Sequence, residues 1–129
     1  MASVQVILMG ALLLMLNNYL HDLATAVLFV LGLTMFLLVK EMERRKESKD
    51  FVSAAKRIFY TLSFWAAISL LLVLLLGIPR LIFFRHFELW EAAKRGIVLA
   101  LIFKHLLLFT LVFFGLFLWF RLRQKVQEM

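Results

Sequence analysis

The first 39 residues carry one charged side chain, Asp22. As a single α-helix that stretch would be about 58 Å long, nearly twice the roughly 30 Å of a bilayer's hydrocarbon. Water is no better a solvent for it. The chain has 129 residues, 64% of them hydrophobic, and a domain of this size has too little interior to hide so much apolar surface. Further apolar runs follow, and Asp22 and Lys104 are the only charges inside any of the runs. Continuous runs of this length predict helices rather than the alternating strands of a membrane barrel. The expected fold is all-α, a polytopic transmembrane helical bundle.

Three spans are predicted, at about 20–39, 58–79 and 96–120, with a possible fourth at the N-terminus. Residues 1–17 either lie outside, along the interface or beside a partner, or form a short extra span that turns at Asn17–Asp22, where Asn and Asp suit a turn. Residues 40–57, "KEMERRKESKDFVSAAKR", hold seven Lys/Arg and four acids. They predict a helical extension followed by a cytoplasmic turn, with Ser53 as the candidate cap of the next helix. Gly77 and Pro79 are expected to end or kink the second span. In residues 80–95 the apolar Phe83, Phe87 and Trp90 recur at near-helical spacing among Arg85, Glu88 and Glu91, the pattern of an amphipathic interfacial segment.

Loop charge sets the expected orientation. The 40–57 linker and the tail (Arg121, Arg123, Lys125) carry ten basic residues, against four in 80–95: Arg80, Arg85, Lys94 and Arg95. The bias puts the linker and the C-terminus in the cytoplasm, and both 80–95 and the Asn17–Asp22 cluster on the outer side of a bacterial or archaeal plasma membrane, the cell inner membrane. The net charge of +7 is then accounted for by topology and anionic lipid rather than nucleic acid. The absence of cysteine excludes disulfides, thiolate metal sites, cysteine-ligated iron–sulfur clusters and covalent c-type haem. The apolar start lacks a basic n-region, so a cleaved signal peptide is not expected. No Walker motif, HExxH, dinucleotide fingerprint or serine triad is present, and whether the chain is an enzyme stays open.

The candidate site residues come from depth. Counting helical rise, His21 lies about 27 Å from Val39 and His105 about 22 Å from Phe120, so both fall at one level in the outer leaflet, with His86 close above. Asn17, His21, Ala24/Thr25, Leu28 and Gly32 form one stripe, and Leu101, His105, Leu108, Val112 and Gly115/Leu116 another. Small residues beside a histidine leave room for a flat ligand or for close helix contact. Neutral imidazoles from two helices can bind the iron of a b-type haem from opposite faces. His21 and His105 are therefore candidate axial ligands and His86 the alternative, with Arg80, Arg85, Lys94 and Arg95 available to propionates or lipid. The same histidines would serve as interhelical hydrogen-bonding groups. Asp22 and Lys104 must pair, snorkel or face water at that depth. They are candidates for a buried ion pair joining the first and last helices, or for a proton site. Neighbours on a helix diverge by about 100°, so Asp22 is not expected to bond His21 itself. If Asn17–Asp22 is only a turn or helix start, its polarity is simply that of an interface.

"YLHDLATAVLFVLGLTMFLL" resembles the first helix of small haem-associated membrane proteins of the copper-resistance D and membrane protoporphyrinogen-oxidase type, where an early His is followed by small residues and a Gly. "GIVLALIFKHLLLFTLVFFGLFLWFRLR" resembles a later helix of that group, where a Lys opens an apolar span ending in basic residues. The resemblance implies a helical bundle with haem near His21. The chain lacks the group's additional helices, which favours a homo-oligomer or one small subunit of a larger complex. The leading expectation is a b-type haem protein or subunit passing electrons between a quinone and an outer-side redox partner. The alternatives are a cofactor-free structural or assembly subunit of a larger membrane complex, and a small transporter or proton-pathway component.

Overall fold

The structure, a computed structural model, describes residues 2–84 and 89–129, and the side chains of these apart from Ala2 and Phe84. Four helices follow in order: α1 (Ala2–Arg44), α2 (Lys49–Phe84), the short α3 (Trp90–Lys94) and α4 (Val98–Glu128). No strand occurs among the described residues. The three long helices are long and apolar enough to cross a membrane, so the fold is an all-α transmembrane bundle.

α1 runs its 43 residues without a break, which overturns the alternative of two short spans joined at Asn17–Asp22. The polar side chains there meet α2 instead of closing a local turn: Asn17 Nδ2 donates to the Leu76 carbonyl at 2.9 Å. Three threonine hydroxyls inside the apolar runs are satisfied within their own helices. Thr25, Thr34 and Thr110 each donate to the carbonyl four residues earlier, at 2.8–2.9 Å, which lets a spanning helix carry them without an unpaired donor.

The charge-rich linker is mostly helix. α1 continues to Arg44 and α2 begins at Lys49, so Ser53 lies inside α2 rather than capping it. Only a tight turn separates the helices, with Arg45 N on Glu41 O, Ser48 N on Arg45 O and Val52 N on Ser48 O, all at 2.9–3.0 Å. Charge favours both ends, since Asp50 sits in the first turn of α2 and Arg44 in the last turn of α1. Arg44 and Arg45 both reach the Glu41 carboxylate, at 2.8 and 2.6 Å. The Arg44 hydrogen bond and the two positive charges hold that carboxyl below the usual carboxylate range. Arg45 also stacks over Phe51, 5.2 Å from its centroid.

The turn makes α1 and α2 an antiparallel hairpin, and α4 joins it at its C-terminal end. Met35, Val39, Met42, Val52, Ala55, Phe59, Leu122 and Val126 form a buried cluster drawn from all three helices. Lys125 of α4 pairs with Glu43 of α1 at 2.6 Å on its rim. A polar thread crosses the molecule just beyond it: Trp119 Nε1 donates to Ser63 Oγ at 3.2 Å, and Ser63 Oγ donates to Met35 Sδ at 3.4 Å. From that level α4 rises about 32 Å to Val98, the thickness of a bilayer's hydrocarbon.

Pro79 does not end the second span. α2 passes through it to Phe84, so Arg80 belongs to this helix and not to an outer loop. Proline has no N–H for the Leu75 carbonyl and its ring loosens the turn. Asn17 supplies a donor to the neighbouring carbonyl, Leu76. Among the described residues of the interfacial segment, α3 covers Trp90–Lys94. Phe87, Glu88, Arg85 and His86 lie outside the described residues. Gly96, at φ +68°, closes α3. Its N–H bonds Ala93 O and that of Ile97 bonds Ala92 O, the left-handed stop that glycine adopts at no steric cost.

Candidate functional site

The hairpin register places His21 of α1 against Gly77 of α2. A Cβ at Gly77 would lie 3.5 Å from His21 Nε2, so the glycine lets the imidazole rest against the opposing backbone. On its other edge, His21 Nδ1 lies 3.4 Å from both Asp22 Oδ1 and Arg80 Nη1. The shortest contact of the group is Arg80 Nη1 to Asp22 Oδ1, at 2.7 Å. Arg80 and His21 keep about a fifth of their side-chain surface exposed, whereas Asp22 keeps 69%. The cluster is thus an Asp–Arg ion pair leaning on an imidazole, with Asn17 one helical turn farther along α1. Asn18 Oδ1 is buried in the same stretch and meets no donor among the described residues.

Two expectations change here. Asp22 pairs with Arg80 of α2, not with Lys104 of α4, and its carboxylate is exposed rather than buried. The reason is the packing: α4 meets the hairpin near Trp119, Leu122 and Val126, while Lys104 lies against the turn around α3. Asp22 also comes within 3.4 Å of its neighbour His21, despite the divergence of adjacent helical side chains. Arg80 faces both groups, and the Asp22 carboxylate swings toward that cation.

The other predicted residues are dispersed. His105 Nδ1 lies 2.8 Å from the Leu101 carbonyl. A carbonyl only accepts, so Nδ1 donates in this contact. Lys94 sits over the Trp90 ring and pairs with Glu91 at 3.4 Å, and Arg95 lies in the turn after α3. Among the described residues no group of three or more His, Asp or Glu is placed to hold a metal ion.

Haem b is a matter of donor chemistry and placement. The chemistry of His105 suits an axial ligand. His21 presents Nε2 to the Gly77 backbone, and α4 packs onto the hairpin at the opposite end from both histidines. Among the described residues His21 packs on Gly77 and His105 on the Leu101 carbonyl.

Arg80 is the residue that sequence reading placed in a loop. Its signal was available in the turn between α1 and α2. A turn this tight fixes the antiparallel register, so Met35 faces Ser63 and His21 faces Gly77, and a long side chain three residues beyond Gly77 reaches Asp22.

Fold and site together define a small helical membrane protein with a polar interhelical clamp toward the end away from its charged turn. The chain matches no protein-family model, no curated protein and no solved structure.

Proposed function

We propose that the chain is an assembly subunit of a larger membrane complex, docking through the part of α1 beyond the clamp. One observation carries this reading: every side chain from Ser3 to Leu13 is exposed, and Val4, Ile7, Leu8 and Leu12 show 58–70% of their surface. Rise along α1 from the Met35 level reaches the hydrocarbon thickness near Leu14, so Ser3–Leu13 projects about 16 Å farther. Tilt does not absorb it. Even at about 40°, the upper end for membrane helices, a helix uses only about 26 residues to cross 30 Å. An unbroken apolar helix in that position needs an apolar cover, and neither α2 nor α4 supplies one.

A photo-crosslinker at Leu8 in native membranes tests this. Capture of one discrete protein partner is expected, together with loss of that partner's co-purification when Ile7 and Leu8 are replaced by Ser. Labelling of lipid alone would overturn the reading.

A second reading has its own observation, the 2.8 Å contact of His105 Nδ1 with the Leu101 carbonyl. It keeps electron transfer through b-type haem and assigns a further copy or a partner the task of completing the ligand pair. A Soret band in the haem-replete protein, lost on His105→Ala, is the expected result. A spectrum without that band defeats it.

A further inference from the structure

Gly96 folds α3 back beside the start of α4, and between them lies an open cleft of about 450 Å³ lined by Glu91, Ala92, Arg95, Ala100, Leu101 and Lys104. We propose that this cleft binds the phosphate-bearing head of an anionic phospholipid, with an acyl chain continuing along α4. The charge balance carries the choice of ligand. Glu91 is already matched by Lys94, at 3.4 Å, whereas no ion pair meets Arg95 or Lys104 among the described residues. The cleft therefore presents two cations without an ion-pair partner among the described residues, beside a Glu91 that Lys94 engages. Lys104 lies about 9 Å along α4 from Val98, a depth at which a cation is costly unless it snorkels or meets an anion. A phosphate at the mouth of the cleft gives Lys104 a partner at the end of its own stem and gives the planar Arg95 guanidinium two oxygens to bridge.

The apolar side fixes the rest of the ligand. Ala92 and Ala100 are too short to fill the floor, and Leu101 continues it toward Phe109 and Leu108, which are exposed on α4. That floor suits an acyl chain better than a free anion. A choline or ethanolamine head would bring a cation toward Arg95 and Lys104, so the site selects against zwitterionic lipid. The cleft is separate from Ser3–Leu13 and stands whether or not a protein partner docks there.

The test uses the full-length chain, purified and incubated with mixed micelles of phosphatidylglycerol and phosphatidylcholine, with retained lipid measured by mass spectrometry. Selective retention of phosphatidylglycerol is expected. Lys104→Gln and Arg95→Gln should each lower it about fivefold, the weight of one basic residue at an anionic lipid surface. Ala100→Phe fills the floor without changing charge and should lower it as well, while Arg123→Gln at the other end should not. Arg95 lies in a turn, so its variant remains informative if Lys104→Gln loses helicity. Equal retention of the two lipids, or phosphatidylglycerol retention unchanged in both Arg95→Gln and Ala100→Phe, overturns the proposal. Displacement of the lipid by millimolar inorganic phosphate would overturn the acyl-chain part and leave an anion site.

Discussion

The two ends of this molecule have similar apolar side chains and treat them differently. Around the charged turn, Phe59, Met42 and Val126 lose all exposure and Val39 keeps 1%. Beyond the Trp119 level Phe113 and Leu99 remain 70% and 81% exposed, and the most apolar stretch of α4 has no buried residue. Solvent explains the contrast. Past the Trp119–Ser63–Met35 level the helices continue among fifteen charged residues, where water is the medium and apolar groups must cover one another. On the other side the medium is hydrocarbon, as apolar as leucine, and burial there gains little. What joins α1 to α2 in that half is close packing of small residues, Ala24, Ala66 and Ser69, and polar contacts: Asn17 on the Leu76 carbonyl and Asp22 on Arg80. The charge-rich linker is therefore the base of a three-helix bundle, and the far half is a hairpin tied at a few points.

The largest expected effect lies in the base. Phe59→Ala should destabilise the bundle by about 3–5 kcal/mol, while Phe113→Ala, on the exposed middle of α4, should stay within about 0.5 kcal/mol. Unfolding in mild detergent, followed by circular dichroism as SDS is added, measures both. Similar losses at the two positions would break the distinction between a water-driven and a lipid-covered half.

Next comes the close approach at Gly77. The methyl of Gly77→Ala meets His21 Nε2 at an ordinary 3.5 Å and should be tolerated, whereas Gly77→Leu should cost about 1–3 kcal/mol by forcing the helices apart. Spin-label distances between α1 and α2 should widen for the second variant alone.

The clamp itself should be worth less. A double-mutant cycle of Asp22→Asn and Arg80→Gln is expected to give a coupling of about 1 kcal/mol, in the range of polar interhelical pairs in membranes. A coupling of zero would leave Asn17 as the tie between the far halves.

Smallest are the exposed pairs at the base. Lys125→Gln should cost less than about 1 kcal/mol, and the cost should shrink further in high salt. Glu41 gives a sign with pH. Its carboxyl titrates lower in the fold than in the unfolded chain because Arg44 and Arg45 hold the charged form. Its contribution is thus complete above the usual carboxylate value and disappears as pH falls through the folded one. Acid titration of Glu41→Gln beside the parent should show that part of the pH dependence missing, and an unchanged profile would remove Glu41 from the account.

The sequence by itself determined that the chain is helical, that three helices are long and apolar enough to cross a bilayer, and which residues are the polar exceptions. Apolar run length and isolated charges are local properties, and hydrocarbon penalises every unpaired backbone group whatever the fold. The partners of those exceptions were decided only by the tertiary structure. Asp22 and Lys104 share a depth on paper, but depth counts rise along an axis and says nothing of direction around it. The tight turn at 45–48 set the register that gave Asp22 to Arg80, and the Trp119–Ser63–Met35 thread set where α4 leans. Pro79 shows the same division. Its missing N–H marks a weak turn, yet α2 runs through it to Phe84, and Asn17 of the neighbouring helix donates to the adjacent Leu76 carbonyl, a facing that no local pattern encodes.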